Sequence, residues 1–338
     1  MKSLALREPN VFEMQQKDIP VPKEGEALIK VLAVGVCGTD YHAFRGNQPY
    51  FAYPRILGHE IAGEIAEIAG GIGSDLRVGD RVTVMPYIAC GSCIACRNGK
   101  TNACTKLKVL GVHIDGAMNE YFTVPTEYLV KAEGLSVSQI SIIEPLSIGL
   151  HAVNRARLTP GEFVLVLGAG PIGLAVMKFA KLAGARVIAL DINKDRLSFS
   201  KQWAQVDAVV DALGNVEDEL IEVTAGDYPT TVIDATGNPQ SMMNAFSYAA
   251  HGGKVVYVSL VQADISFNDP EFHKKELTLM GSRAASLDEF EYVIANMKAG
   301  HIDADAFISH RAPFEDTIAA FQTWLKRDSG VIKAIIEF

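Results

Sequence analysis

One stretch of the chain, FVLVLGAGPIGLAVM (163–177), leaves its fold little freedom. FVLVL is a short apolar run that reads as a buried strand, and a glycine-rich turn follows it. Ile172, Ala175, Val176, Phe179 and Ala180 then recur at the spacing of one helix face. Gly168, Gly170 and Gly173 stand in the G-x-G-x-x-G pattern. The first permits a tight turn, the second lets backbone approach a pyrophosphate, and the third lets helix pack on strand. The helix that opens at Pro171 offers the free N–H groups of its first turn, that of Ile172 among them, and a partial positive charge to phosphates. Asp191 ends the next strand, where a carboxylate accepts hydrogen bonds from a ribose diol and repels a 2′-phosphate. Asp191 also reads as a helix cap in DINKDR, the segment that carries Arg196. A lone glycine turn says little, but the strand before it and the helix after it point to a dinucleotide, with NAD favoured over NADP. Gly168, Gly170, Pro171, Ile172, Gly173, Asp191 and Arg196 are the candidate cofactor residues.

Further short strands follow at 186–191, 207–211, 230–235, 254–259 and 276–281, most of them separated by helix-length segments. That alternation predicts βαβ units and a parallel sheet. The first 150 residues read differently. Runs such as EALIKVLAVGV, IAGEIAEI, DRVTVMPYI and EYFTVP are broken by Gly, Pro and Asp, which predicts an antiparallel, strand-rich domain with long functional loops. From about 285 the chain returns to helices and closes on a strand, VIKAIIEF. A length of 338 residues suits two domains.

A net charge of −9 gives no reason to expect a nucleic-acid or anionic-membrane partner. MKSLALREPN has no secretory pattern, and the uncharged run at 163–177 is too short to span a bilayer. The expectation is a cytoplasmic protein, where disulfides are rare. Four of the five cysteines nevertheless crowd into ACGSCIACRNGKTNAC (89–104). Cys90, Cys93, Cys96 and Cys104 have the spacing C-x2-C-x2-C-x7-C, and four thiolates satisfy a tetrahedral Zn²⁺. Iron–sulfur motifs also begin C-x2-C-x2-C, but there the fourth cysteine follows after three residues and precedes proline. Here the gap is seven and Thr105 follows. Four sulfurs leave no open position, so such a zinc is structural.

VCGTDYH (36–42) and LGHEIAG (57–63) put Cys37, His59 and Glu60 in polar turns inside otherwise apolar surroundings, and IIEPLSIGLHA (142–152) puts Glu144 in a similarly apolar stretch. A buried acid is costly unless paired or bound to a cation. Singly these are a buried thiol, a satisfied histidine and a capping glutamate. Together they are the sulfur, nitrogen and oxygen donors of an open zinc site.

CGTDYH, GHEIAGEI, VGDRV, the four-cysteine loop, EPLSIGLHA and GAGPIGL, in that order, resemble the zinc-dependent medium-chain dehydrogenases of the alcohol and polyol dehydrogenase superfamily. The resemblance spans the chain. It implies an α/β protein with a GroES-like, strand-rich catalytic domain (1–150), a Rossmann doubly wound NAD-binding domain (151–283) and a return segment of the catalytic domain (284–338). It implies one catalytic zinc on Cys37, His59 and Glu144, with Glu60 an exchangeable or additional ligand, and one structural zinc on Cys90, Cys93, Cys96 and Cys104. Alcohol dehydrogenases have cysteine where Glu144 stands, which favours the polyol and sugar-acid branch. Within it, RGNQPYFAYPRILGHE, GVHIDGAMNEY and NDPEFHKKELTLMGSR resemble bacterial L-galactonate and L-gulonate 5-dehydrogenases.

The implied reaction is oxidation of a sugar acid at C5 to the keto acid. A polyol or L-threonine dehydrogenase, or a zinc-stabilised dinucleotide-binding sensor or scaffold, are the alternatives. Thr39 would accept the hydroxyl proton, His42 would pass it to solvent, and Asp40 would orient His59. Arg283 is the preferred partner for a substrate carboxylate, since its fork holds one bidentately. His273, Lys274 and Lys275 are further candidates, and Glu144 would also face substrate. His113, His151, His251, His301 and His310 read as structural. The family forms homodimers and homotetramers, and ELTLMG reads as an edge strand able to pair across a two-fold axis.

Overall fold

The computed structural model describes residues 1–49, 51–70, 75–326 and 328–338. The chain divides into two compact units, Met1–Glu144 with Ser286–Phe338, and Pro145–Ala285. Among the described residues, no helix is long and apolar enough to cross a membrane.

The first unit carries β1 (Lys2–Glu8), β2 (Val11–Gln16), β3 (Glu26–Val36), β4 (Arg55–Ile56), β5 (Glu60–Ile68) and β6 (Arg81–Val84). It continues with β7 (Tyr87–Ile88), β8 (Lys108–Val109), β9 (Tyr121–Pro125) and β10 (Leu129–Lys131). The last two strands of the chain also belong here, β17 (Ile308–Pro313) and β18 (Lys333–Glu337), and the six strands between β10 and β17 lie in the other unit. Strand order in the main sheet is β10-β6-β5-β3-β18-β17. The long β3 is its spine: Ala27, Ile29, Val31, Ala33 and Val34 are buried. One edge of β3 pairs with β5, while along the other β9 takes Glu26–Lys30 and β18 takes Ala33–Val36. These pairs are antiparallel, as the broken β runs predict. β17 and β18 pair in parallel instead, because the helix Thr317–Trp324 between them makes a crossover.

The second unit holds β11 (Phe163–Leu167), β12 (Arg186–Asp191), β13 (Ala208–Asp211), β14 (Thr231–Asp234), β15 (Lys254–Tyr257) and β16 (Thr278–Gly281). All pair in parallel in the order β13-β12-β11-β14-β15-β16. That is the doubly wound order 3-2-1-4-5-6, whose direction of growth reverses between β11 and β14. Leu165, Leu167, Ile188, Val210, Val232 and Val255 supply much of its core. The reversal point lies beside the glycine turn, so the sequence motif and the topology select the same strand end.

Candidate active site and metal centres

Three neighbouring strands of the first unit bring one site together. Cys37 follows β3, and the antiparallel register sets Gly35 opposite Glu60, so His59 lies alongside the chain at Cys37. Ligand atoms of Cys37, His59 and Glu60 lie within 4.8 Å of one another. The backbone at Cys37 is fixed by a capping box. Its sulfur accepts from Thr39 N at 3.5 Å, and Asp40 Oδ2 accepts from Cys37 N at 2.8 Å. CGTDYH therefore forms a helix, Gly38–Phe44, where the sequence suggests a polar turn. Likewise Glu60 opens β5 and does not sit in a turn.

Thr39 is half-buried on this helix, and His42, three positions on, is exposed. Asp40 is wholly buried, with Oδ1 3.9 Å from His59 Nδ1, and neither atom has a hydrogen-bond partner among the described residues. Burial raises the Asp40 carboxyl, opposed by the charge of His59. Burial lowers His59, but Asp40 and Cys37 outweigh it and hold the imidazole well above its usual range.

Glu144 opens the helix Ile143–Ala156 and is buried, outside the tight group of Cys37, His59 and Glu60. Its Oε1 accepts a hydrogen bond from the Tyr87 hydroxyl. Burial pushes its carboxyl up to about 7, against the opposing pull of His59. A residue absent from the sequence reading, Lys333, completes the cluster from β18. Its Nζ donates to both Glu60 oxygens at 2.6 and 2.7 Å and to Val36 O at 3.1 Å. Burial alone would lower Lys333, but Glu60 and Cys37 keep it above its usual value. Gly35 makes room for this pair, since a Cβ there would lie 2.0 Å from Glu60 Oε2. The only hint in the sequence is one lysine inside an apolar strand. A soft sulfur, an imidazole and buried carboxylates suit Zn²⁺, and the partnerless His59 Nδ1 facing Asp40 suits a histidine that ligates through its other nitrogen.

The four cysteines of the loop also converge. The sulfurs of Cys90, Cys93, Cys96 and Cys104 lie within 4.8 Å of one another, and none forms a disulfide. Zn–S bonds of about 2.3 Å imply sulfur–sulfur edges of roughly 3.8 Å, so the set fits a tetrahedral ion. Cys90 N and Lys106 N donate to Cys104 Sγ at 3.2 and 3.3 Å. Backbone N–H groups draw Cys93 down to about 5 and Cys90 to about 7, while burial pushes Cys96 up to about 12. The amides thus favour the thiolate form at two of the four positions.

In the second unit, Gly170 caps the helix Pro171–Leu182, with Pro171 in its first turn. A Cβ on Gly173 would come within 1.8 Å of Gly168 O, which is why helix and turn meet only through glycine. Asp191 does not cap the next helix; Asn193 does. The Asp191 oxygens instead accept from Ala169 N at 2.6 Å and Asn193 N at 2.8 Å, fixing the carboxylate beside the glycine turn. Arg196 Nη1 lies 3.9 Å from where a Gly170 Cβ would stand. Arg283 is exposed just after β16, the outermost strand, at the same C-terminal end of the parallel strands as the glycine turn after β11. Lys275 is tied to the carbonyls of Phe246, Ser247 and Ala249, so its ammonium is spent within the fold. Lys274 pairs with Glu271 within the helix Asp269–Lys274, which also carries His273.

Comparison with known proteins bears on the same residues. Residues 23–134 match the family model described as the alcohol dehydrogenase GroES-like domain, and residues 171–299 match that of the zinc-binding dehydrogenases. L-galactonate-5-dehydrogenase of Escherichia coli K12 is 42% identical over 338 residues, covering 100% of this chain and 99% of the relative. L-threonine 3-dehydrogenase of Bacillus velezensis is 32% identical, with 98% of each chain covered. A crystal structure of a short chain alcohol dehydrogenase from E. coli CFT073 complexed with NADH superposes with a TM-score of 0.93 at 32% identity, covering 100% of this chain and 99% of that one. Its fold, its matched domains and its full-length relatives make the chain a member of the zinc-type alcohol and polyol dehydrogenases, enzymes of the GroES-like plus Rossmann architecture.

Proposed function

We propose that the protein oxidises the C5 secondary alcohol of a sugar acid, L-galactonate or L-gulonate, to the keto acid, with NAD as acceptor. The observation that carries this reading is the 42% identity to an L-galactonate-5-dehydrogenase along the whole of both chains. Glutamate at 144, where alcohol dehydrogenases have cysteine, is consistent with it. Cys37 and His59 with Glu144 or Glu60 would hold a zinc that supplies Lewis acidity toward the substrate oxygen, Cys90, Cys93, Cys96 and Cys104 would hold a second, structural zinc, and bound NAD would supply the hydride acceptor.

The chain's own groups handle the proton and the orientation. Thr39 accepts the proton of the substrate hydroxyl, and exposed His42, one turn along the same helix face, passes it to solvent. Asp40 holds the tautomer and aim of His59. Asp191 receives the adenosine ribose diol, and the amides of the turn at Gly168–Gly173 receive the pyrophosphate. The exposed Arg283 takes the substrate carboxylate.

The test is an NAD⁺-reduction panel of L-galactonate, L-gulonate, sorbitol and L-threonine, with zinc measured on the same sample. We expect two zinc ions per chain, turnover confined to the sugar acids, and a KM for them raised at least tenfold in Arg283→Ala. That rise is about 1.4 kcal/mol of lost binding. Turnover of sorbitol or threonine with none of either acid overturns the reading.

A further inference from the structure

Resting on the reading that Glu144 belongs to the catalytic metal centre, we propose that Tyr87 is the positioning residue that sets the orientation of the Glu144 carboxylate. Tyr87 is 6% exposed and Glu144 4% exposed, and the phenol hydroxyl donates to Glu144 Oε1. Nothing near either residue in sequence joins them, since 57 positions separate the two.

The phenol stands on a rigid mount. Tyr87 pairs with Val109 and Ile88 with Lys108, so β7 and β8 close the root of the segment that contains all four loop cysteines. Leu110 N donates to Pro86 O at 3.0 Å, and Ala89 N donates to Tyr128 Oη at 3.2 Å. Backbone pairing on both sides of Tyr87 thus anchors the main chain from which the buried phenol reaches Glu144. A carboxylate that serves a metal can otherwise rotate and exchange its two oxygens. A donor committed to one oxygen removes that choice and selects a single ligating geometry. Partners of this kind, one shell out from a metal, are typically worth 10–100-fold in metal affinity.

The experiment uses the full-length protein with Co²⁺ exchanged into the Cys37–His59 centre and zinc retained in the four-cysteine loop. Parent, Tyr87→Phe and Glu144→Gln are compared by visible absorption and by competitive Co²⁺ titration. Tyr87→Phe keeps the ring and its packing and removes only the hydroxyl. We expect it to weaken Co²⁺ at this centre 10–100-fold, to move the visible bands as Glu144→Gln does, and to leave one zinc per chain in the loop. It should also lower kcat more than it raises KM. If Glu144→Gln moves the bands and the affinity while Tyr87→Phe moves neither, the positioning role is overturned and the place of Glu144 stands. If neither variant changes the cobalt signal, Glu144 lies outside the centre and the proposal falls with it.

Discussion

Lys333 occupies a position in VIKAIIEF that burial would give to an apolar residue, and Glu60 is the reason it is tolerated. Both are almost fully enclosed, and the ammonium meets both carboxylate oxygens. Removing one member of such a pair strands the other charge, which typically costs 3–5 kcal/mol. Lys333→Met should therefore destabilise the protein by about 3–5 kcal/mol in urea unfolding. The double variant Lys333→Met with Glu60→Gln should recover most of that loss, and equal instability of single and double variants would contradict the pairing. Cys37, His59 and the four loop cysteines were legible in the sequence, because their types are scarce and their spacings short. Lys333 and Tyr87 were not. Their partners lie 273 and 57 residues away, and a single lysine in a strand reads as an exposed edge residue until the sheet order is known.

Helix Pro171–Leu182 shows how a short motif sets the position of a whole element. Its first turn touches the preceding strand end only because Gly173 has no side chain. Gly173→Ala should push the helix away from the turn and reduce NADH affinity at least tenfold, read by the fluorescence of bound NADH, while circular dichroism reports the fold. Unchanged affinity would show that the contact is dispensable. Every strand of the parallel sheet was anticipated, with ends displaced by a residue or two where ladders fray. CGTDYH was misjudged because cysteine and aspartate form its capping box in place of the usual Ser/Thr and Glu/Gln, so the helix start carried no familiar signature.

The two units differ in how the chain builds them. Pro145–Ala285 is continuous and encloses its own apolar core around Leu165, Val232 and Val255. Expressed alone, residues 145–285 should unfold cooperatively and bind NADH. A fragment with helical signal but no cooperative transition would refute that. The other unit is interrupted and is completed only by Ser286–Phe338. β18 lies between β3 and β17 and brings Lys333 to Glu60, yet it is made after the entire coenzyme-binding unit. On the ribosome, β3 therefore waits with part of one edge unpaired, and the Glu60 carboxylate waits for its counter-charge, while more than half of the protein is translated. A message truncated just before codon 333 would encode every candidate zinc ligand and still leave the centre without the cation that neutralises it.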